Sequence, residues 1–101
     1  MRLRWTDRSK RDLFEIGEYI ARDSRAVARR WVQRLRDRAR KAAQTPLAGR
    51  VVPEWGREGV REVFLVSYRI VYEVRRDAIH VLTVFEGHRR FPLPDESDSS
   101  A

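Results

Sequence analysis

The stretch that decides the fold is VREVFLVSYRIVYEVRRDAIHVLTVF, residues 60–85 of a 101-residue chain. It contains three runs rich in valine, isoleucine, phenylalanine and tyrosine, which is typical of β-strands. The interruptions Ser67-Tyr68 and Arg75-Arg76-Asp77 are each short enough to be a hairpin turn. We therefore predict three antiparallel strands, over Val60–Val66, Arg69–Val74 and Ile79–Phe85.

The half of the chain that precedes this stretch has a helical period instead. Leu13, Ile16 and Ile20 recur at the spacing of a first amphipathic helix. Ser24 can cap a second, longer helix over about residues 25–44, whose apolar stripe has the width of a core-facing surface. That stripe consists of Ala28, Trp31, Val32, Leu35, Ala39 and Ala42. The pattern predicts two adjacent helices that form a helical hairpin.

The order of these elements indicates the fold class. A short strand-like start at Leu3-Arg4-Trp5 precedes the helices, which gives the order β-α-α-β-β-β. Helices first and strands second favour an α+β fold, with the helical hairpin packed on a small, mainly antiparallel sheet. The length allows one domain, which we assign to residues 1–93. Residues 94–101 are acidic and serine-rich, and we expect a disordered tail there.

Composition and missing motifs exclude several classes of function. The chain has no cysteine, which excludes disulfides, iron–sulfur clusters and thiol nucleophiles. Neither His80 nor His88 stands in a helical i, i+4 pair with another ligand, so we expect no metal site. No P-loop, GxGxxG or GxSxG motif is present, and we expect no cofactor. Without a membrane-length apolar run or a signal-peptide start, we expect a cytoplasmic protein.

The net charge of +7 is concentrated in one part of the chain. Residues 22–50 carry ten basic and two acidic side chains, and the basic ones are spread around both flanks of the second helix. Nucleic-acid binding prefers cations focused on one face. We interpret this helix as a solvated surface that is also suited to an acidic protein partner.

A second group of cations is expected on the sheet. Arg61 and Arg69 lie on neighbouring predicted strands, and His88, Arg89 and Arg90 follow the last one. If the strands pair as hairpins, several of them can converge at one face or edge. Such a cluster can bind a phosphate, stabilise the charge that develops in phosphodiester cleavage, or bind an acidic protein. His88 and Glu86 are the local acid–base candidates, Glu73 is a more distant one, and surface charges without a function are the alternative.

Several blocks of sequence, taken in order, resemble a known family. They are Arg11-Asp12-Leu13-Phe14-Glu15-Ile16, Pro46-Leu47-Ala48-Gly49-Arg50, Tyr68-Arg69-Ile70-Val71-Tyr72-Glu73-Val74 and Ile79-His80-Val81-Leu82-Thr83-Val84-Phe85-Glu86-Gly87-His88-Arg89. Over about residues 2–93 the chain resembles the RelE/ParE superfamily of type II toxin–antitoxin toxins. The resemblance implies the same β-α-α-β-β-β fold.

The resemblance implies one of two activities. RelE-like members cut mRNA on the translating ribosome, with basic sheet residues and a C-terminal tyrosine or histidine–tyrosine pair, whereas ParE-like members inhibit DNA gyrase. Arg69 matches an arginine common to both branches. Val63 is apolar where the ribonucleases tend to carry a second cation, and no tyrosine follows Tyr72. These departures favour a ParE-like gyrase inhibitor, with a ribosome-dependent endoribonuclease as the alternative.

The resemblance also implies which residues would act in each case. For the ribonuclease the catalytic candidates are Arg61, Arg69, His88 and Arg89. In both cases the partner is a cognate antitoxin, whose C-terminal segment wraps the toxin and places an apolar helix in a groove beside the two helices. The candidates to line that groove are Leu13, Ile20, Trp31 and Leu35, with a role in the internal core as the alternative for most of them. We thus expect a hetero-oligomer of toxin and antitoxin, with no membrane association.

Overall fold

The computed structural model describes residues 1–87. The elements are β1 (Arg2–Trp5), α1 (Asp7–Ala21), α2 (Arg25–Gln44), β2 (Arg50–Val51), a 3-10 turn (Pro53–Trp55), β3 (Val60–Leu65), β4 (Tyr68–Val74) and β5 (Ala78–Glu86). The predicted α+β fold is confirmed, with β2 as one short additional strand. Neither helix in residues 1–87 is long and apolar enough to cross a membrane. The boundary predicted after residue 93 lies outside the described residues.

Both helices begin where polar side chains satisfy their first amides. The Ser9 amide donates to Thr6 Oγ1 at 3.2 Å, and the Val27 amide donates to Ser24 Oγ at 3.2 Å. Serine and threonine stabilise helix starts in this way, because the first amides of a helix have no carbonyl partner within it. The caps fix where α1 and α2 start, and α2 covers the predicted residues 25–44.

The strands form one mixed sheet in the order β1-β5-β4-β3-β2. β1 is parallel to β5, and the other neighbours are antiparallel. The turn between β3 and β4 was predicted at residues 67 and 68, which is wrong by one residue. Leu65 pairs with Tyr68, so the turn consists of Val66 and Ser67. Tyr68 belongs to the strand, and its ring lies 5.7 Å from that of Trp31.

The two faces of the sheet are covered by different parts of the chain. On the face we call the helix side, α2 contributes Leu35 and a run of alanines to the main core, and the small alanines allow a close approach. The strand residues in this core are Val63, Ile70, Tyr72, Ile79, Val81 and Val84. On the opposite face, the loop side, Val52 and Trp55 pack on Val60, Val71 and Phe85.

A β-bulge joins α1 to β5. Val71 pairs with Thr83 while the next β4 residue pairs with Val81, so β5 has one extra residue between the two. The Asp12 carboxylate accepts the Thr83 hydroxyl at 2.6 Å and the Val84 amide at 3.0 Å. A bulge interrupts the strand ladder, and here a helix side chain supplies the missing acceptor. This contact fixes the position of α1 on the sheet.

Candidate functional site

Arg61 lies on the helix side of the sheet. Side chains alternate between faces along a strand, and Val63, two residues on, belongs to the helix-side core. The Arg61 Nη1 donates to the carbonyl oxygens of Leu47 at 3.0 Å and Gly49 at 2.8 Å. Arg61 therefore holds the segment that follows α2 against the sheet.

Tyr72, the cross-strand partner of Arg61, holds the same segment. Its hydroxyl donates to the Pro46 carbonyl oxygen at 2.8 Å, and its side chain is fully buried. Burial raises the pKa of the Tyr72 phenol, because the charged form loses its solvation. A Cβ at Gly49 would clash with the Tyr72 hydroxyl, so only glycine fits there. A buried, protonated phenol of this kind has a structural role.

Arg69 lies on the loop side, where a buried carboxylate binds it. Glu62 Oε1 accepts Arg69 Nε at 2.7 Å and Nη2 at 2.6 Å, and Glu62 is 1% exposed. The other carboxylate oxygen accepts Arg50 Nε at 2.8 Å and Nη2 at 2.6 Å. The Arg69 guanidinium also lies 5.7 Å from the ring centroid of Phe64 and 5.3 Å from that of Phe85. We call this group the Arg50–Glu62–Arg69 triad.

The structure therefore does not bring Arg61 and Arg69 together, although they are on neighbouring strands. One binds loop carbonyls on the helix side and the other binds a carboxylate on the loop side. The candidates His88 and Arg89, and the neighbouring Arg90, lie outside the described residues. The convergence that we expected at one face does not occur for the two arginines that the structure describes.

The acid–base candidate Glu73 lies in a separate charged group. Its carboxylate contacts Arg75 at 3.0 Å and Arg57 at 3.7 Å. His80 pairs with Glu73 on one side and with Arg4 on the other, and its Nδ1 lies 3.5 Å from Arg75. Desolvation, with the charges of Arg75 and Arg4, lowers the pKa of His80.

No group of three histidine, aspartate or glutamate side chains within residues 1–87 is arranged to bind a metal. Glu86, the other acidic candidate, pairs with Tyr68 at the end of β5.

A groove of about 770 Å³ lies between the two helices. Gly17 allows the helices to approach each other, because a Cβ there would lie 3.2 Å from the Val32 side chain. The groove is lined by Trp5, Lys10, Leu13, Phe14, Gly17, Glu18, Ala21, Arg25, Ala28, Arg29, Val32, Gln33 and Arg36. Four cations and one carboxylate stand among these residues, so the groove suits an acidic segment with an apolar face.

Of the four residues expected to line an antitoxin groove, one lies in this groove between the helices. Leu13 lies in the groove lining, whereas Ile20 and Trp31 are outside it. Leu35 is fully buried in the helix-side core, where no partner reaches it. Phe14, an exposed residue of α1, also lines the groove.

Comparison with known proteins agrees with this architecture. The sequence profile of the family described as "ParE toxin of type II toxin-antitoxin system, parDE" matches residues 3–91. The chain belongs to the ParE toxin family. It is 38% identical over 94 residues to "Putative toxin Y4kP" of Sinorhizobium fredii (strain NBRC 101917 / NGR234). The aligned residues cover 90% of this chain and 93% of the relative.

A solved structure shares the fold of this ParE-family chain. It is titled "Chromosomal ParDE TA system from P. aeruginosa", is 24% identical, and superposes with a TM-score of 0.71 over 85% of this chain and 95% of the other. Membership of the ParE family makes the chain a type II toxin, and such a toxin has an antitoxin as its partner.

Two structural residues of this ParE toxin had no role in the sequence prediction. Asp12 binds the β5 bulge, and Glu62 neutralises Arg69. Both contacts join residues that are distant along the chain or lie on another strand, and no periodic pattern marks them. The sequence pattern places Glu62 on a predicted strand but does not indicate which side chains it contacts.

Proposed function

We propose that this ParE-family toxin inhibits DNA gyrase in the cytoplasm by binding it, and that it does not cleave mRNA. The observation that supports this function is the separation of Arg61 and Arg69 on opposite faces of the sheet. Cleavage of a phosphodiester needs cationic donors aimed together at the charge that develops on the phosphate. Protein binding makes no such demand.

The surroundings of Arg69 argue further against phosphate binding. Its Nε and Nη2 donate to Glu62, and its side chain is only 12% exposed. A phosphate would have to compete with a fully buried carboxylate, which within residues 1–87 forms its ion pairs with Arg50 and Arg69. Arg69 is better suited to stabilising the loop side of the sheet than to binding a substrate.

The groove between the helices supports the assignment of the antitoxin site. An amphipathic helix binds by laying its apolar face into such a groove, and an acidic flank would face the four cations in the lining. We propose that the antitoxin occupies this groove. The partner segment is then an acidic amphipathic helix.

The target is tested by two assays on the same purified chain. The toxin is titrated into a gyrase supercoiling reaction and, in parallel, into a translation extract in which mRNA cuts are mapped by primer extension. We expect inhibition of supercoiling or accumulation of cleaved DNA, with intact mRNA. Cuts at the ribosomal A site with unaffected gyrase would establish the ribonuclease alternative instead.

The antitoxin site is tested by a matched pair of substitutions on α1. Phe14 and Tyr19 are equally exposed, at 67% each, but only Phe14 lines the groove. Phe14→Glu places a carboxylate where an acidic segment would bind, so we expect the cognate antitoxin to bind it at least about tenfold more weakly. Tyr19→Glu should bind normally. Equal binding by both variants would move the antitoxin site elsewhere.

A further inference from the structure

The turn between β3 and β4 holds a valine in an unfavourable backbone conformation. Val66 has φ +54°, and it is the only residue other than glycine with a positive φ within residues 1–87. The first position of a two-residue turn with positive φ is normally glycine, because a branched Cβ clashes with the backbone there. Strain of this kind persists where the surroundings enforce it and is concentrated at functional sites.

The turn and the end of β3 before it expose apolar side chains. Val66 is 71% exposed, and Phe64, two residues before it, is exposed as well. A glycine or asparagine would relieve the strain and remove the exposed apolar surface together. The free toxin therefore has both backbone strain and exposed apolar surface at this turn, and burial of that surface by a partner would offset them.

Contacts from α2 hold this turn in place. Arg38 Nε donates to the Phe64 carbonyl oxygen at 3.1 Å, and the Trp31 ring packs against Tyr68. The guanidinium of Arg34 lies 4.5 Å from the centroid of the Trp31 ring. We call this region around the turn, which includes residues from both faces of the sheet, the β3–β4 tip; its residues are Trp31, Arg34, Arg38, Phe64, Val66 and Tyr68. Tryptophan, tyrosine and arginine are the residues enriched at the energetic centres of protein interfaces.

The β3–β4 tip and the groove between the helices are different surfaces. They share no residue, and α2 contributes to both. At 3.6 residues per turn, Trp31, Arg34 and Arg38 lie about 100–160° around the helix from the groove residues Val32 and Arg36. A partner in the groove therefore leaves the tip open to a second protein.

We propose that the β3–β4 tip is the surface that contacts gyrase, an inference that rests on the proposed function. The exposed apolar side chains require an apolar cleft on the partner, and Arg34 and Arg38 require carboxylates at its rim. The partner is thus an acidic surface of gyrase around an apolar cleft. The turn is preorganised for it, because Leu65 pairs with Tyr68 and the Gly87 amide donates to the Ser67 carbonyl oxygen at 2.5 Å.

The test separates stability from binding. Val66→Gly and Val66→Asn both tolerate the positive φ better than valine and remove the apolar side chain. We expect each variant to melt at the same temperature as the parent or higher, yet to need at least about tenfold more toxin to inhibit supercoiling. Leu47→Ala is the matched control, because Leu47 is 68% exposed at another place. It should inhibit supercoiling as the parent does.

Other results would overturn the proposal. If both Val66 variants are more stable and inhibit gyrase normally, the strained turn has no part in target binding. If they lose binding to the cognate antitoxin, the tip belongs to that interface. If they convert a dimer of the toxin into a monomer, the tip contacts a second copy. Failure of the proposed function itself is recognised separately, because the unmodified toxin would then leave gyrase active.

Discussion

The two faces of the sheet are stabilised by different interactions. On the helix side, Leu35 and the alanines of α2 pack on apolar strand residues, so the hydrophobic effect is the main contribution. On the loop side, the Arg50–Glu62–Arg69 triad accompanies a smaller apolar cluster around Trp55 and Phe85. Arg69, which looks functional in the sequence, is thus part of the structure that covers the loop side.

The largest effect that can test this comparison is expected from Glu62→Ala. The substitution leaves Arg69 without its carboxylate, and loss of one partner of a buried ion pair typically costs about 3–5 kcal/mol. Chemical denaturation should show a lower free energy of unfolding by roughly that amount. An unchanged free energy would show that the triad contributes nothing to stability.

The control for this prediction removes both charges. Glu62→Leu combined with Arg69→Met leaves no buried unpaired charge, because the remaining Arg50 side chain is 60% exposed to water, and such replacements are often neutral or stabilising. The double variant should therefore be more stable than Glu62→Ala. If it also still inhibits its target, Arg69 has no direct role in toxicity.

The helix side is tested by Leu35→Ala. Leu35 is 0% exposed, and a buried leucine replaced by alanine typically costs about 2–5 kcal/mol through lost burial and the cavity left behind. Thermal and chemical denaturation measure the loss. The exposed Val51→Ala, on the edge strand, should change stability by less than about 0.5 kcal/mol. Equal effects of the two substitutions would contradict the assignment of Leu35 to the core.

Most of the fold was predictable because periodicity is a local property. The apolar stripe of α2 and the alternating runs of β3 to β5 required only neighbouring residues, and Ser24 marked the helix start. The separation of Arg61 and Arg69 was also readable. Cross-strand partners share a face, and Arg69 pairs with Phe64, three positions from Arg61 and hence on the other face.

The remaining features depend on long-range pairing that no sequence pattern reveals. The bulge in β5 and its acceptor Asp12 are 71 residues apart. The groove residue Phe14 could not be distinguished from core residues by spacing alone, and Leu35 was expected in the groove because both lie on apolar stripes. The positive φ of Val66 was not predicted, because the sequence pattern placed Val66 in β3 and the turn one residue later.

A smaller effect than those of the two faces is expected at the joint between α1 and β5. Asp12→Ala leaves the Val84 amide and the Thr83 hydroxyl without their acceptor, and an unsatisfied buried donor costs about 1–3 kcal/mol. The measurement is the free energy of unfolding, together with hydrogen exchange at the Val84 amide. Asp37→Ala is the control, because Asp37 is exposed on α2. Unchanged protection of the Val84 amide would contradict the role of Asp12.

The smallest effect concerns the charged group on β1 and β5. The pKa of His80 is lowered in the folded state by desolvation and by Arg75 and Arg4, so below its ordinary value of 6.5 the unfolded chain binds more protons. The contribution of His80 to stability must therefore fall as the pH decreases through 6.5, by a small amount because His80 is partly exposed. Arg75→Gln removes one cation and should raise the pKa of His80, as followed by NMR titration of its ring. Added salt should reduce the difference in His80 pKa between the parent and the variant, because salt screens exposed charges. A His80 pKa that is unchanged or lower in the variant would show that Arg75 does not lower the pKa of this histidine.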